Sequence, residues 1–467
     1  MIDVFNDIIK LINDELWSKF IIFVIIGLGI YFTFKLKFVQ FTKLTEMLRI
    51  IAKGGKKDKA GLSPFQAFCI SAAARIGVGN LAGVALAISI GGPGAIFWMW
   101  IIALVGAATS FVECTLAQIY KIKDGRGGFR GGPAYYMEKG LNSRKTGIWF
   151  SILITITYGL IFNSVQANTV TLAFNNTFHL DRTIVGIGLA ILVGIIIFGG
   201  VKSIARVSEL IVPPMAIVYI IVAAYVVITN ISIMPDVLML IVKSAFGLES
   251  AIGGGIGVAM KSGIQRGLFA TEAGMGSTPN AAATADVSHP VKQGLMQALG
   301  VFIDTFLICT ATAFIVLCSD VYLIPGLEGI VITQEALSSH VGSWAGTFLA
   351  VIIFLFAFSS LLGNYYYGET NISFVKNSKK LINIYRVCAL AMILFGSVAQ
   401  LQTVWNLADI FMGLMVITNL IVIFLLSKFA FAALNDYIKQ KREGKDPVFY
   451  AENISGLKNT ECWEKGK

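Results

Sequence analysis

Two stretches of small and polar residues interrupt apolar segments of this sequence and free backbone groups for binding. One covers residues 73–80 and contains Gly77 and Gly79, and the other covers residues 267–276. Inside a bilayer, backbone that is not helical has to bind protein, water or a ligand, because hydrocarbon offers no hydrogen-bond partner. Two such interruptions about half a chain apart predict a buried binding site that draws on both.

The first interruption offers amide groups. Gly77 and Gly79 can adopt backbone angles that other residues avoid, and helix-forming residues resume after Asn80. The start of that half-helix would present unpaired N–H groups and a positive dipole end to a carboxylate. Close packing of small residues against another helix is the alternative, and the second interruption favours binding. We therefore predict that a substrate site includes Gly77, Val78, Gly79 and Asn80.

The second interruption offers carbonyl groups. Pro279 follows it closely and breaks the helical hydrogen-bond ladder. Freed carbonyls near the end of the preceding helix are predicted to receive an ammonium group. The predicted substrate-site residues here are Phe269, Ala270, Thr271, Gly274 and Met275. For Glu272 we favour a supporting role, bonded to freed amides, over direct ligand contact. Arg266 is predicted either to pair with Glu272 or to reach the cytoplasmic side.

An amide-rich run at 163–169 lies inside an otherwise apolar segment. Gln166 and Asn168 are two positions apart, which separates them by about 200° around a helix. At most one of them is therefore expected to face a ligand squarely. Hydrogen bonds between helices explain these amides equally well.

Two adjacent hydroxyls, those of Ser359 and Ser360, could join freed carbonyls near Ala74 and Gly77 in an all-oxygen shell for sodium. Serines in membrane helices also bond back to a carbonyl of their own helix, which is the competing explanation.

Acidic residues also occur within the apolar segments, where ionisable groups mark functional sites by default. The roles of Asp304 and Asp409 stay open, although Asp304 is grouped with Arg266 and Glu272 as a structural or supporting residue.

Enzymatic chemistry is not expected. The sequence contains no motif that combines a nucleophile, a base and an orienting residue. The glycine run at 253–257 lacks the Lys-Ser or Lys-Thr of a phosphate-binding loop, and close helix packing explains it better. Six cysteines occur without a CxxC pair. We predict no cofactor and no metal other than a coupling sodium ion, and we expect transport energy to come from an ion gradient.

The composition predicts an integral membrane protein. Of 467 residues, 56% are hydrophobic and 14% charged, too few polar residues to coat a soluble domain of this size. The net charge of +10 comes mainly from loops between apolar segments, so no continuous groove for nucleic acid is expected. The run 20–34 lacks the basic lead of a secretory signal and is expected to be retained. No obligate protein partner is implied.

The sequence contains about eleven apolar segments of roughly the length needed to cross a bilayer. They are 17–34, 64–90, 95–120, 147–174, 183–200, 207–230, 251–275, 293–319, 343–367, 381–400 and 403–427. The basic, amphipathic segment 41–53 suits a helix on the cytoplasmic surface. The polar tail at 428–467 is predicted to lie outside the membrane.

Positive charges predict the orientation. Assigning alternate loops and the tail to the cytoplasm places 29 of the 37 lysines and arginines there. The amino terminus is then outside and the carboxyl terminus cytoplasmic. After the amino-terminal segment 1–63, the halves 64–230 and 251–427 have opposite orientations. Both begin with an interrupted helix, as in five-plus-five inverted-repeat transporters.

At these residues the chain resembles the alanine or glycine:cation symporter family. Residues 77–85 match its GxGNxAGVA pattern, and residues 266–279 match RGxFxxEAGxGSxP. Further matches are 91–100, 131–136, the pair Gln166 and Asn168, and 366–369. The resemblance covers nearly the whole chain. It implies an all-α, leucine-transporter-like (LeuT) fold in the plasma membrane that imports alanine or glycine with sodium.

The resemblance also implies roles for individual residues. It supports Gln166 and Asn168 as substrate-site positions, and Ser359 with Ser360 as sodium-site positions. The chain departs from the family at two places. Val78 stands where members often have threonine, and Asn364, a further substrate-site position, stands where some have tryptophan.

Three other functions stay open at this point. Proton coupling would use one of the buried carboxylates of Glu272, Asp304 or Asp409. A channel would conduct without alternating access. An amino-acid sensor would bind its ligand without moving it.

Overall fold

The computed structural model describes residues 2–17, 20–52, 61–125, 127–248 and 255–464. Lys19, the start of the seventh predicted span at 251, part of the glycine run 253–257 and the end of the segment 41–53 lie outside the described residues.

Helices make up most of the described chain. The first half contains α1 (Ile2–Leu16), α2 (Phe20–Lys35), α3 (Val39–Thr42), α4 (Leu44–Ala52), α5 (Pro64–Arg75), α6 (Val84–Gly91), α7 (Gly94–Ile119), α8 (Pro133–Gly140), α9 (Arg144–Ile156), α10 (Asn163–Phe178), α11 (Arg182–Ile197), α12 (Gly200–Thr229) and α13 (Met234–Ala245). The second half contains α14 (Gly255–Thr271), α15 (Thr278–Ala282), α16 (Pro290–Phe302), α17 (Thr310–Leu317), α18 (Ile330–Val341), α19 (Trp344–Val375), α20 (Lys379–Val398) and α21 (Leu401–Arg442).

Wider π-helical turns at Gly79–Gly83, Thr157–Phe162 and Ile303–Cys309 lead into α6, α10 and α17. Short 3-10 turns occur at Asp320–Leu323 and Ala451–Asn453. One two-stranded antiparallel ribbon joins β1 (Ile122–Lys123) to β2 (Phe129–Arg130) between α7 and α8.

The described helices coincide with all eleven predicted spans. Eight helical stretches are long and apolar enough to cross a membrane, and the bent pair of α5 with 79–91 makes a ninth. The other two predicted spans correspond to α11, a shorter apolar helix of 16 residues, and to α14, whose described part has 17. The prediction of an all-helical membrane protein is therefore confirmed, with an approximate span count.

Local sequence signals explain where the key helices begin. The Ser63 hydroxyl accepts a hydrogen bond from the Gln66 amide at 3.1 Å, and the Gln66 side chain accepts one from the Ser63 amide at 3.2 Å. Pro64 occupies the first position of α5, where no amide hydrogen is needed. This reciprocal capping sets the start of the helix that leads into the first interruption.

Close packing of α7 against α14 forms much of the core. A Cβ atom at Gly263 would lie 2.2 Å from the Ala95 carbonyl oxygen, and one at Gly267 would lie 2.5 Å from a methyl carbon of Ile102. Larger residues would therefore push the two helices apart. Their close approach brings α7 alongside the second interruption.

Helices α8, α13, α15 and α18 lie between predicted spans, where the sequence predicted loops. In α18, the Thr333 hydroxyl donates to the Leu81 carbonyl at 3.1 Å, and the Gln334 amide donates to the Thr177 hydroxyl at 2.8 Å. Thus α18 lies across the first interrupted helix and α10. Its 12 residues are fewer than a span requires, so a search by span length does not find it.

The polar tail is partly helical and packs against the rest of the chain. The last helix continues to Arg442, well beyond the predicted end of the span at 427. Beyond it, the Phe449 amide donates to the Ser288 carbonyl at 2.9 Å, and the Trp463 indole donates to the Gln118 carbonyl at 2.8 Å. The tail therefore contacts the end of α7 and the segment before α16.

Candidate functional site

The first predicted interruption is confirmed. The helix α5 ends at Arg75, and the chain resumes at Gly79 with an axis bent by 46°. The residues of the break are fully buried. Its free backbone groups therefore need partners within the protein or on a ligand.

Two carboxamide oxygens contact the amides of this break. The Gly77 amide donates to the Asn80 side-chain oxygen at 3.0 Å, and the Val78 amide donates to the Gln166 side-chain oxygen at 3.2 Å. Both amides point toward acceptors, as binding a carboxylate requires. Gln166 thus faces the predicted substrate site.

The glycines of the first break serve close packing, and the expectation that they adopt backbone angles avoided by other residues is wrong. Neither Gly77 nor Gly79 has a positive φ. A Cβ atom at Gly77 would lie 2.3 Å from the Ser360 hydroxyl, and one at Gly79 would lie 2.8 Å from a ring carbon of Phe269. Both positions exclude a side chain because neighbouring helices fill the space.

Asn80 joins the first break to a buried acid. Its side-chain nitrogen donates to the Asp304 carboxylate at 2.6 Å, while its oxygen accepts from the Gly77 amide. Asp304 therefore positions Asn80, and through it the backbone of the break. This placement agrees with the supporting role predicted for Asp304.

The second predicted interruption is also confirmed, and it contains the unusual backbone. After α14 ends at Thr271, positive φ values occur at Glu272 (55°), Gly274 (84°) and Gly276 (78°). The Asn280 side chain donates to the carbonyls of Gly276 and Ser277 at 3.0 and 2.8 Å. Left-handed backbone favours glycine, which explains the glycine spacing in this segment.

Glu113, which was not among the predicted site residues, binds the amides freed by the second break. Its two carboxylate oxygens accept from the Gly274 amide at 3.0 Å and the Gly276 amide at 3.1 Å. The Asn419 side chain donates to the same carboxylate at 2.9 Å and to the Gly274 carbonyl at 3.0 Å. Glu113 lies inside a predicted apolar span, so the rule that selected Asp304 would also have selected it.

The prediction that Glu272 binds the freed amides is therefore wrong, although Glu272 is buried beside the break. Its carboxylate accepts from the hydroxyls of Ser277 at 2.8 Å and Thr278 at 3.3 Å. Thr278 in turn accepts from the Arg75 guanidinium at 3.0 Å. A hydrogen-bonded chain thus joins the end of α5 to the second break.

Arg266 forms an ion pair with Asp409, so the prediction that it pairs with Glu272 is wrong. The two side chains are buried and in direct contact, and the guanidinium lies 4.5 Å from the centre of the Trp405 ring. The Trp17 indole donates to the Asp409 carbonyl at 3.0 Å. This pair connects α14 to α21 and to the amino-terminal segment.

Asn168 lies on a different face of α10 from Gln166, as their spacing predicts. Its side-chain nitrogen donates to the carbonyls of Gly396 and Ala399 at 2.9 and 2.8 Å. The structure therefore places Asn168 against α20, in the interhelical role that was the alternative to ligand contact.

The two serines of α19 are arranged differently. The Ser360 hydroxyl lies 2.8 Å from the Ala73 carbonyl of the first interrupted helix. The Ser359 hydroxyl donates to the Phe356 carbonyl of its own helix at 2.9 Å. Nearby, a Cβ atom at Gly363 would lie 3.1 Å from the Ala74 amide nitrogen. The structure thus brings Ser360 to the predicted sodium-site backbone at Ala74 and Gly77, while the Ser359 bond stays within α19.

A row of aromatic rings joins the two breaks. Phe269 lies 4.9 Å from Trp405 and 4.6 Å from Phe162, measured between ring centres. Phe162 contacts Tyr158, which in turn contacts Tyr367 at 5.3 Å. Phe269 was a predicted substrate-site residue, but no sequence signal distinguishes the other four rings from ordinary core aromatics.

The other predicted residues of the second break are buried at its edge. Ala270 and Thr271 end α14. The sulfur of Met275 accepts from the Tyr158 hydroxyl at 3.7 Å. Asn364 of α19 is also buried. The structure therefore brings together most of the predicted substrate-site residues, with Asn168 directed elsewhere.

Known proteins resemble this chain over almost its whole length. A sequence profile of the sodium:alanine symporter family matches residues 2–451. The chain is 60% identical over 464 residues to a probable sodium/glutamine symporter of Bacillus subtilis (strain 168), covering 99% of this chain and 97% of that protein. It is 57% identical over 463 residues to an amino-acid carrier protein of the same organism, covering 99% and 98%.

A solved structure supports the fold class. A manganese transporter from Eremococcus coleocola matches with a TM-score of 0.54 at 13% identity, covering 84% of this chain and 93% of that one. At this identity the likeness shows the fold alone. The fold is leucine-transporter-like, with an additional amino-terminal helix, and the predicted fold class is confirmed.

Proposed function

Because this chain belongs to the sodium:alanine symporter family, it is a multi-pass membrane protein that couples amino-acid transport to sodium, and we propose that it imports a small neutral amino acid by alternating access. Alanine and glycine are the substrates that the sequence motifs imply. The main support is the pair of buried broken helices, which approach each other where Gly79 packs against Phe269.

The two breaks suit the two ends of an amino acid. The Gly77 and Val78 amides would bind the substrate carboxylate in place of their present side-chain acceptors. Carbonyls near Phe269 and Thr271 would receive the ammonium group, and the Phe269 ring would limit the space beside it. This division assigns a carboxylate to the first break and an ammonium to the second.

Sodium would bind where α19 meets the first break. We assign its ligands to the Ser360 and Ser359 hydroxyls and to carbonyls near Ala74 and Gly77. Both hydroxyls lie near the Phe356 carbonyl of their own helix, at 2.9 Å for Ser359 and 3.0 Å for Ser360, and Ser360 also contacts the Ala73 carbonyl at 2.8 Å. Binding sodium would therefore require both hydroxyls to turn from Phe356 toward the first break. Oxygen ligands of this kind suit a hard cation.

The orientation follows from the positive charges. We propose a plasma-membrane protein with the amino terminus outside and the carboxyl terminus in the cytoplasm, and with inverted repeats at 64–230 and 251–427. No cofactor is required, since a sodium gradient supplies the energy. Labelling Cys462, a partly exposed residue of the polar tail, from one side of oriented vesicles would test the placement of the carboxyl terminus.

Uptake by the purified protein in proteoliposomes tests this proposal. An inward sodium gradient should drive accumulation of labelled alanine or glycine, and preloaded substrate should accelerate exchange. Uptake that is unchanged without a sodium gradient would contradict the coupling, and uptake driven by a pH gradient in sodium-free buffer would favour proton coupling. Absence of saturable exchange would favour a channel or a sensor.

A matched pair of variants tests the sodium site. Ser360→Ala removes the α19 hydroxyl that contacts the first interrupted helix and should raise the sodium concentration needed for uptake. Ser427→Ala removes a serine hydroxyl that bonds back to the Phe424 carbonyl at 2.8 Å and should leave the sodium dependence unchanged. Equal sodium dependence in the two variants would contradict the site.

Glutamine is a second candidate substrate. It is favoured by the relative at 60% identity, which is named as a probable sodium/glutamine symporter. Glutamine is also neutral and shares its backbone groups with alanine, so the proposed contacts to the two breaks apply to both. Parallel uptake assays with labelled alanine, glycine and glutamine distinguish the candidates.

A further inference from the structure

Asn364 is a buried polar residue whose side chain has no partner. It is 1% exposed, and neither its carboxamide oxygen nor its nitrogen forms a hydrogen bond within the described residues. A buried carboxamide without partners is unfavourable, and buried polar groups are nearly always hydrogen-bonded. An exception beside a candidate binding site points to a partner that arrives with the ligand.

The position of Asn364 on α19 places it between the two breaks. Ser360, one turn before it on the same helix face, contacts the Ala73 carbonyl of the first interrupted helix at 2.8 Å. Tyr367, three residues after it on that face, contacts the Tyr158 ring at 5.3 Å. The Tyr158 hydroxyl lies 3.7 Å from the sulfur of Met275 in the second break. Asn364 therefore lies on the α19 face that connects these two regions.

The chemistry of a carboxamide narrows the class of ligand group. Asn364 offers two N–H donors and a carbonyl acceptor. The ammonium and carboxylate of an amino acid are assigned above to the two breaks, which leaves its side chain to meet Asn364. The side chains of alanine and glycine carry no polar atom. A second carboxamide supplies both a donor and an acceptor in one plane, so it satisfies the oxygen and the nitrogen together.

We propose that Asn364 is a specificity-determining residue that binds the side-chain carboxamide of the transported amino acid, which makes glutamine or asparagine a better substrate than alanine. This inference rests on the proposed amino-acid transport and narrows its substrate class. A site that hydrogen-bonds a polar group discriminates against analogues that lack the group, because its own buried atoms are then left unpaired.

Competition binding with sodium present tests the inference on the full-length protein. Wild-type protein should bind glutamine or asparagine more tightly than alanine. Asn364→Leu keeps a similar side-chain volume and removes both polar atoms. It should weaken binding of the carboxamide amino acids by roughly 10- to 100-fold, the effect of losing about two hydrogen bonds, and change alanine binding by less than about threefold.

Thermal unfolding without amino acid separates a binding role from a structural one. Replacing an unpaired buried carboxamide with an apolar group should leave the melting temperature unchanged or raise it. As a control, Asn371 lies two turns further along α19 and donates to Asn280 at 3.0 Å and to the Tyr367 carbonyl at 2.8 Å. Asn371→Leu should lower the melting temperature and leave the ratio of glutamine to alanine affinity unchanged.

The possible results separate a failure of this inference from a failure of the proposed function. If wild-type protein binds alanine as tightly as glutamine and asparagine, or if Asn364→Leu weakens all three equally, the inference is overturned and amino-acid transport still stands. A large fall in the melting temperature of Asn364→Leu also overturns it, since the carboxamide would then support the fold. If the wild-type protein binds no neutral amino acid, the proposed function itself fails.

Discussion

The side-chain nitrogen of Asn80 lies 2.6 Å from a carboxylate oxygen of Asp304, although the two residues are 224 positions apart in the chain. The same Asn80 side chain accepts a hydrogen bond from the Gly77 amide. A carboxylate in the second half of the protein therefore helps to hold the backbone of the first interrupted helix. Both side chains are fully buried.

Variants at Asp304 separate a positioning role from proton coupling. Asp304→Ala should lower the free energy of unfolding by about 1 to 3 kcal/mol, because the Asn80 amide loses its buried partner. Asp304→Asn keeps an acceptor oxygen and should retain sodium-driven uptake in proteoliposomes. Complete loss of uptake in Asp304→Asn, with folding intact, would instead support a proton carried by this carboxylate.

Glu113 is expected to be a large contributor to stability. In Glu113→Ala, the amides of Gly274 and Gly276 lose their acceptor in a buried region, which should lower the free energy of unfolding by about 3 to 5 kcal/mol. Chemical unfolding in detergent measures this change. Glu138, which pairs with Arg144 at the surface, supplies the control. Glu138→Gln should change the same free energy by less than about 0.5 kcal/mol, and equal effects of the two variants would contradict the assigned role.

Gly79 should not tolerate a side chain. A Cβ atom there would lie 2.8 Å from a Phe269 ring carbon, so Gly79→Ala should lower the melting temperature and weaken amino-acid binding. Gly83→Ala is the matched control, since its added carbon would meet Trp405 at 3.5 Å, an ordinary contact distance.

A second substitution identifies the cause at Gly79. Phe269→Leu shortens the obstructing side chain and should restore part of the melting temperature lost in Gly79→Ala. No recovery in the double variant would contradict the Phe269 ring as the cause of the restriction at Gly79.

The free energy of unfolding should decrease at acidic pH because His289 takes up a proton when the chain unfolds. Burial lowers the pKa of His289 below that of a free histidine, about 6.5. The unfolded chain therefore binds more protons than the folded one as pH falls below about 6.5, and the free energy of unfolding decreases. The Val291 amide donates to the ring Nδ1 of His289 at 3.2 Å. His289→Asn offers a carboxamide oxygen as the acceptor instead and should flatten the pH profile of the melting temperature between pH 7.5 and 5.5.

The local contacts of His289 connect this effect to the tail. Its ring lies 5.1 Å from the rings of both Tyr437 and Phe449, and 3.3 Å from the Asp436 carboxylate. The exposed His179 supplies the control, because His179→Asn should leave the pH profile unchanged. If His289→Asn also leaves it unchanged, the acid sensitivity arises elsewhere.

Several features were predictable from sequence because they depend on local properties. Hydropathy over about 20 residues located the spans, and glycine and proline located both breaks. The 200° separation of Gln166 and Asn168 correctly predicted that they face different neighbours. The glycines show the limit of such reasoning. Gly79 and Gly274 cannot be told apart by sequence. Close packing requires glycine at Gly79, whereas a left-handed backbone requires it at Gly274.

Sequence alone determined the membrane class, the helical fold and the positions of the two breaks, since each follows from residues that are neighbours in the chain. Only the tertiary structure decided which side chains bind the freed groups. Glu113 reaches Gly274 across 161 positions, and Arg266 reaches Asp409 across 143. Partners so far apart are selected by how whole helices pack, and helix packing depends on all the contacting surfaces together.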